Sequence, residues 1–507
     1  MALLIILLQV LVPVSIVLIF ARRNDSMYFM SQPVVGLQKQ RFAWLWAAAR
    51  SLYKTREWAF DGYVKYSKID SPYIIPTIDR GPMVVIPPRH VKELYALPET
   101  VLDVRATQQE TNQTRWVAWD KEAAENRFVF NVIRQQLTRN LKELIPVTAT
   151  EIEHGFERWW GIDTEWKEIN IWDSCWGIIT GAVNGGLCGA PLCRNVVKDR
   201  LENTAKFKAD PNYRWTPPVI AFSPISLSRQ PRAMANVWIY GVQRDVLQWI
   251  IDECYATGNL ERLDPTNICY RLLLLNDVSL PSTAFSVQNL ITDLFTTDPS
   301  LGFVDALRVE CEAVFEEAGG IWTADALKKL KLVESAIRES MRLSPLGVIA
   351  LPRTIVHKDG ISLENSQASH IHIPHGAVVT VPIEPIHYDE DIYPDAKNFN
   401  AFRFAQPDDL QKIVMQLNPK KGERGKVALV NLDEAFLGFG IGRHICPARF
   451  FALAEMKIFV ADMLLNYDIE YLKAKPALVD MVWLKVPWNS GSLRVRRRNT
   501  FGNSYPR

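Results

Sequence analysis

Hydrophobic positions recur along most of this chain with the spacing of amphipathic helices. The residues 128–144 (Phe128 to Leu144) and 237–251 (Val237 to Ile251) are clear cases, with charged residues on the opposite faces. Each is expected to form one helix. A third helix is expected over Ala324 to Leu343, stopped by Ser344-Pro345, and a fourth, strongly apolar one over Arg449 to Leu465. Two stretches follow another rule. Ile74, Ile75, Ile78, Val84, Val85 and Ile86 flank an Asp79-Arg80-Gly81-Pro82 turn, which predicts a short hairpin. Residues 348–383 alternate β-branched runs with Pro352, Gly360, Pro374 and Gly376, and are expected to form strands and turns. The pattern predicts a mainly α fold with a minor β part.

The first residues break this pattern. Ala2 to Ala21 is apolar apart from Gln9 and Ser15, and is followed by Arg22-Arg23. Twenty helical residues rise about 30 Å, enough to cross a hydrocarbon layer. A cleaved signal peptide carries its positive charge before the apolar run, whereas here the charge follows it. The expectation is a single N-terminal transmembrane helix with everything downstream in the cytoplasm. The chain then divides into an anchor (1–23), a membrane-proximal linker (24–60) and one large domain (61–507), since no Gly/Ser-rich or Pro-rich linker interrupts the remainder. Under this topology the sequons at Asn24 and Asn112 are expected to be unmodified.

Composition narrows the function classes. The formal charge of +2, from 58 basic and 56 acidic residues, provides no field to gather nucleic acid. Seven cysteines, Cys175, Cys188, Cys193, Cys254, Cys269, Cys311 and Cys446, are an odd and scattered set, unlike a disulfide framework. Cys188 and Cys193 lack a following partner pair. His370, His372 and His375 could be read as a zinc cluster, but alternation along a strand before a Pro-His-Gly turn accounts for them. Arg494 to Arg498 is read as a basic tail.

The chemistry concentrates in Phe439-Gly440-Ile441-Gly442-Arg443-His444-Ile445-Cys446-Pro447-Ala448. Gly440 and Gly442 permit a tight loop and the close approach of a flat ligand. Cys446 precedes a helix expected to begin near Pro447, whose N-terminal dipole favours a thiolate. Arg443 and His444 are placed to meet carboxylates.

This stretch resembles the cysteine loop of the cytochrome P-450 superfamily. The resemblance implies a P-450 fold, haem b held by Cys446 as axial iron ligand, Phe439 beside the sulfur, Gly442 in the loop, and Arg443 with His444 at the haem propionates. His444 stands where Arg is commoner, and Ala448 where Gly is usual. Glu339 and Arg342, and later Arg403 in Phe399-Asn400-Ala401-Phe402-Arg403-Phe404, match the family's buried scaffold network. Arg353 matches a strand arginine that touches a propionate, and Arg127 is the candidate for an early-helix propionate contact. The oxygen-handling helix aligns on Asn276 to Phe285, with Thr283 on the catalytic threonine, Ser282 at the acid position, and Pro281 expected to break the helix. Further stretches, including Asp298-Pro299, Trp322 to Pro345 and Phe450-Phe451-Ala452, are similar to fungal microsomal members of secondary metabolism.

The resemblance therefore implies a monooxygenase acting on a lipophilic small molecule such as a terpenoid, alkaloid or polyketide intermediate. Its electrons would come from a separate NADPH-dependent reductase docking near Arg449 and Lys457, at the endoplasmic reticulum membrane. Ser282 and Pro281 leave room for a haem-thiolate isomerase, dehydratase or peroxygenase needing no external electrons. A non-enzymatic haem-binding protein is the remaining reading.

Overall fold

The computed structural model describes residues 32–107, 128–189, 245–364, 370–410, 435–487 and 491–499. The expected anchor, Asn24, Asn112, Arg127 and Cys193 lie outside them. Among the described residues no helix is long and apolar enough to cross a membrane.

The helices are α1 (Ala43–Lys65), α2 (Pro88–Ala96), α3 (Phe128–Gln136), α4 (Leu141–Trp159), α5 (Ile171–Cys188), α6 (Val246–Ala256), α7 (Pro265–Thr296), α8 (Phe303–Glu317), α9 (Ala324–Lys329), α10 (Lys331–Leu343), α11 (Ile383–His387) and α12 (Arg449–Asn466). The strands are β1 (Tyr73–Thr77), β2 (Gly81–Val85), β3 (Leu102–Asp103), β4 (Lys167–Asn170), β5 (Ala350–Ile355), β6 (Ile361–Glu364), β7 (His370–Ile373), β8 (Val378–Val381), β9 (Tyr467–Ile469), β10 (Val479–Met481), β11 (Leu484–Val486) and β12 (Ser492–Arg497). The expectation of a mainly helical chain with a minor sheet component holds.

The larger core is helical. It joins α4, α5, α7, α8, α10 and α12 through residues such as Phe156, Ile178, Leu290, Leu307, Leu332 and Phe459. Helix α5 comes close to α4 because Gly177 has no side chain: a Cβ there would lie 2.0 Å from the Trp159 ring. A second core sits on the five-stranded sheet of order β1-β2-β8-β5-β3, in which only β2 and β8 run parallel. The predicted hairpin is β1–β2, with Ile74 opposite Val84 and Thr77 opposite Gly81.

Several boundaries differ from the sequence expectation. The helix expected over 128–144 is two, α3 and α4, separated by residues 137–140. Of the stretch from Val237, only the part from Asp245 is described, and it forms α6. The helix expected from Ala324 to Leu343 is also two. Leu330 leaves helical geometry (φ −70°, ψ 78°), and the buried Glu310 carboxylate of α8 accepts the N–H groups of Lys331, Leu332 and Val333 at 2.8, 2.8 and 2.9 Å. A cap delivered from another helix ends one run and begins the next.

Pro281 does not break its helix, for α7 is continuous from Pro265 to Thr296. The proline removes one N–H, while core packing on both flanks and the Ser282 hydroxyl, bonded to the Val278 and Ser279 carbonyls at 3.1 Å each, hold the turns together. The basic tail is strand β12, paired with β4 and β9. Arg494 there pairs with Glu470 and Arg496 with Asp468, both at 3.1 Å, so the basic stripe is locally neutralised. His370, His372 and His375 are exposed around β7, and among the described residues no group of His, Cys, Asp or Glu could hold a metal ion.

Candidate functional site

The cysteine loop folds on itself before it meets anything else. Gly440 N–H donates to the Leu437 carbonyl at 2.9 Å, Cys446 N–H to the Phe439 carbonyl at 2.9 Å, and Ile445 N–H to the Gly442 carbonyl at 3.2 Å. Gly440 and Gly442 take the left-handed backbone that glycine tolerates, with φ of 78° and 71°. The close approach at Gly442 is to protein, not to a ligand: a Cβ there would lie 2.2 Å from the Tyr95 carbonyl oxygen at the end of α2. Helix α12 starts at Arg449, with Ala448 as its N-cap at φ −91°, a backbone that alanine adopts without strain.

Cys446 differs from the other described cysteines. Cys175, Cys188, Cys254, Cys269 and Cys311 are buried, whereas Cys446 is partly open. Burial pushes its thiol up; the Ala448 N–H at the helix start and the Arg449 guanidinium oppose that and favour thiolate. Around it Phe439, Ile441, Ala448, Phe451 and Leu453 are only partly buried although all pack on the two cores. A thiol in the middle of a half-covered apolar surface has the chemistry to hold a flat apolar group carrying a thiophilic metal.

The scaffold behind the loop is a buried ion network. Arg342 grips Glu339 with Nε and Nη2 at 2.8 and 2.9 Å, and neither side chain is exposed to solvent. Arg403 Nε reaches both Glu339 oxygens at 2.9 Å, and the Asn400 N–H donates to the same carboxylate at 3.1 Å. The remaining arginine donors go to backbone: Arg342 to the His387 and Ala396 carbonyls, and Arg403 to those of Pro394, Asp395 and Asn398. A buried ion pair offsets its desolvation only when its spare donors are met in this way.

Sequence reasoning missed how this network reaches the loop. His387 Nδ1 donates to the Arg342 carbonyl at 3.1 Å, and its Nε2 accepts the Leu437 N–H at 3.1 Å. The ring is neutral, since burial and the neighbouring Arg342 charge push its pKa down to about 3. It stacks on Phe436 at 6.0 Å between centroids. Both contacts are to backbone atoms, so no residue pairing in the sequence announces them.

The candidate anion-binding residues stand at the loop's edge. Arg353 is on β5, buried, with its guanidinium 5.3 Å from the centre of the Tyr95 ring. Arg443 is exposed and donates through Nε to the Ala96 carbonyl at 2.9 Å. His444 Nε2 lies 3.4 Å from the Glu99 carboxylate. Arg449 holds the Cys446 carbonyl at 3.1 Å. Lys457 is no docking residue. It is buried, donating to the Leu327 carbonyl at 2.8 Å and Glu334 at 2.7 Å.

On α7 the hydroxyls divide. Ser279, Ser282, Ser286, Thr292 and Thr296 each turn back onto a helix carbonyl. Thr283, buried, makes no such bond and meets no partner among the described residues. It sits inside the helix, so it is not a cap. Ser282 has its proton committed to backbone.

The chain is similar over nearly its whole length to a cytochrome P450 monooxygenase, okaG of Penicillium ochrochloron, with 48% identity across 92% of this chain and 94% of that protein. The chain belongs to the cytochrome P450 family. The family model described as Cytochrome P450 matches residues 283–490. Two further P450 monooxygenases are gloP of Glarea lozoyensis, 29% identical across 93% of this chain and 92% of that protein, and htyF of Aspergillus rugulosus, 30% identical across 89% and 70%. The protein is a P450 monooxygenase, and the family implies haem and electrons from a reductase. The residues fit that group: among the described residues, one partly open cysteine at a helix start, partly buried apolar residues around it, and the Arg353 and Arg443 guanidinium groups at the rim.

Proposed function

We propose that this P450 is a membrane-anchored monooxygenase of fungal secondary metabolism that oxidises a lipophilic small molecule of terpenoid, alkaloid or polyketide type. NADPH-dependent reductase supplies its electrons at the endoplasmic reticulum. The observation that carries the haem-thiolate assignment is the partly open Cys446 at the start of α12, braced through Leu437 and His387 by the Glu339 network. Cys446 would hold the haem iron, Phe439 would lie beside its sulfur, and Arg353, Arg443 and His444 are the candidates to hold the propionates. When bound, haem supplies dioxygen activation and oxygen insertion into a C–H bond, with thiolate electron release favouring O–O cleavage.

The chain's own contribution is positional. Thr283 has an uncommitted hydroxyl that can hold a proton or a water, and Ser282, bonded back to carbonyls, can only accept. An isomerase, dehydratase or peroxygenase is suggested by Ser282 and Pro281 together; α7 runs unbroken through Pro281, which leaves Ser282 at the acid position as its one remaining ground. The apolar run 2–21 followed by Arg22-Arg23 supports the anchor and the cytoplasmic orientation.

The test is the carbon monoxide difference spectrum of the reduced protein beside Cys446→Ser. A strongly red-shifted Soret band in the wild type alone supports thiolate ligation by Cys446. Haem bound without that band in folded wild type refutes it. Product formation that requires both NADPH and reductase tests the electron source.

A further inference from the structure

Strand β5 is irregular where it passes the cysteine loop. Ala350 faces Val381 and Arg353 faces Val379, so Leu351 and Pro352 of β5 together stand opposite Thr380 of β8. At such a bulge the strand bends and ladder hydrogen bonds are lost. Side-chain hydroxyls replace them. Thr380 donates to the Ala350 carbonyl at 2.9 Å, and Tyr95, from the end of α2, donates to the Leu351 carbonyl at 2.6 Å. Leu351 takes left-handed backbone, with φ of 58°, at a bulge position that favours glycine. A leucine keeps that conformation only where its surroundings over-determine it.

Those surroundings converge on Tyr95, which is buried. Its hydroxyl holds Leu351, and burial pushes the phenol up, so the proton stays on the donor. Its ring lies against the Arg353 guanidinium, whose Cζ is 5.3 Å from the ring centre, within cation–π range. Its carbonyl abuts Gly442, and the carbonyl of the next residue, Ala96, accepts from Arg443 Nε at 2.9 Å. Leu351 in turn packs on the loop from β5, its Cδ2 3.3 Å from where a Cβ on Gly440 would be. One tyrosine therefore touches the loop that carries Cys446, the strained residue of β5, and the cation two positions beyond it.

We propose that Tyr95 is a positioning residue for haem binding: by tying the Leu351 carbonyl it locks the β5 bulge, and the bulge with the stacked ring holds the Arg353 guanidinium at the rim of the cysteine loop, where it would meet a propionate. Without the hydroxyl, Leu351 returns to the extended backbone that is ordinary for leucine, and Arg353 leaves its place. This rests on the reading of Arg353 as a propionate contact, and an Arg353 variant tells the failure of that reading from the failure of this one.

The experiment compares full-length haem-loaded protein as wild type, Tyr95→Phe, Arg353→Met and the double variant. Phenylalanine keeps the ring against Arg353 and deletes only the hydroxyl. Two quantities are read: the rate of haem transfer to excess apomyoglobin, and the haem reduction potential, which a loss of stability alone does not move. Losing a hydrogen bond to a charged group should make Arg353→Met release haem about tenfold faster or more, and losing a cation beside the haem should lower the potential. Tyr95→Phe is expected to shift both quantities in the same directions and to add nothing in the double variant. If Arg353→Met changes both while Tyr95→Phe changes neither, or if the two shifts add in the double variant, Tyr95 does not act through Arg353 and the proposal is overturned. If Arg353→Met changes neither, the reading of Arg353 fails and the positioning role falls with it. Leu351→Gly supplies the rescue, because glycine takes left-handed backbone without a tether. In that background Tyr95→Phe should leave both quantities unchanged, and a further shift overturns the proposal. The same comparison decides the question if Tyr95→Phe alone does not fold with haem.

Discussion

Replacing His387 by Phe isolates the link between the ion network and the cysteine loop. The substitution keeps an aromatic ring to stack on Phe436 but removes both hydrogen bonds, each 3.1 Å long, to the Arg342 carbonyl and the Leu437 N–H. All three residues are buried. A buried polar group left without a partner costs about 1–3 kcal/mol, so two such groups give a loss of about 2–6 kcal/mol.

The charge state adds a pH signature. The folded pKa of His387 is about 3 and that of an unfolded histidine is about 6.5. The folded value is the lower, so the stability that comes from keeping the ring neutral is complete above about pH 6.5 and is lost as pH falls through the window towards 3, by at most about 1.4 kcal/mol per pH step. His387→Phe should lower stability at neutral pH and flatten this acid limb. The assay is urea unfolding of the haem-loaded protein at several pH values, following the Soret band for haem release and far-ultraviolet dichroism for the helices. Haem should leave the variant at lower urea than wild type, ahead of the helices. A loss below about 0.5 kcal/mol, as for an ordinary surface substitution, together with an unchanged acid limb, would refute the reasoning.

Gly442→Ala should cost about 1–2 kcal/mol for left-handed backbone and more for the collision with the Tyr95 carbonyl, seen as poor haem incorporation with helical content retained. Thr283→Val should divert reducing equivalents into peroxide by about tenfold or more, as expected on loss of a proton-delivering group, while Ser282→Ala changes the peroxide yield little; the reverse order would move the proton role to Ser282. Asp462 is buried beside Glu153 and Glu157, with Arg497 opposing them and Asn466 bonded to it; burial first and those carboxylates next raise its pKa to about 7. Because the folded value exceeds the unfolded one, stability is lost as pH rises from about 4 to 7. Asp462→Asn should therefore raise the Tm at pH 8 but not in acid, and equal Tm shifts at both would refute the assignment. Lys457→Met should lower stability by about 3 kcal/mol or less through the stranded Glu334, with no change in reductase affinity; a selective loss of affinity would restore Lys457 to the docking surface.

The sequence by itself determined what local chemistry can encode. Periodicity placed the helices, and the turn at Asp79 to Pro82 placed the hairpin, because both depend on residues within a few positions of one another. Glu339 and Arg342 were legible as a pair because one helical turn brings them together. The Phe439 to Ala448 loop carried the resemblance to the P450 family by its spacing alone.

Tertiary structure decided whatever depends on a distant partner. Glu310 divides one apparent helix into α9 and α10 from another element, and core packing carries α7 through a proline that local rules would use to end it. Lys457 reads as a surface cation but is buried against Glu334. His387 shows the limit most clearly. Its two contacts are to main-chain atoms 45 and 50 positions away, and every residue has those atoms, so the chain must fold before they come within reach.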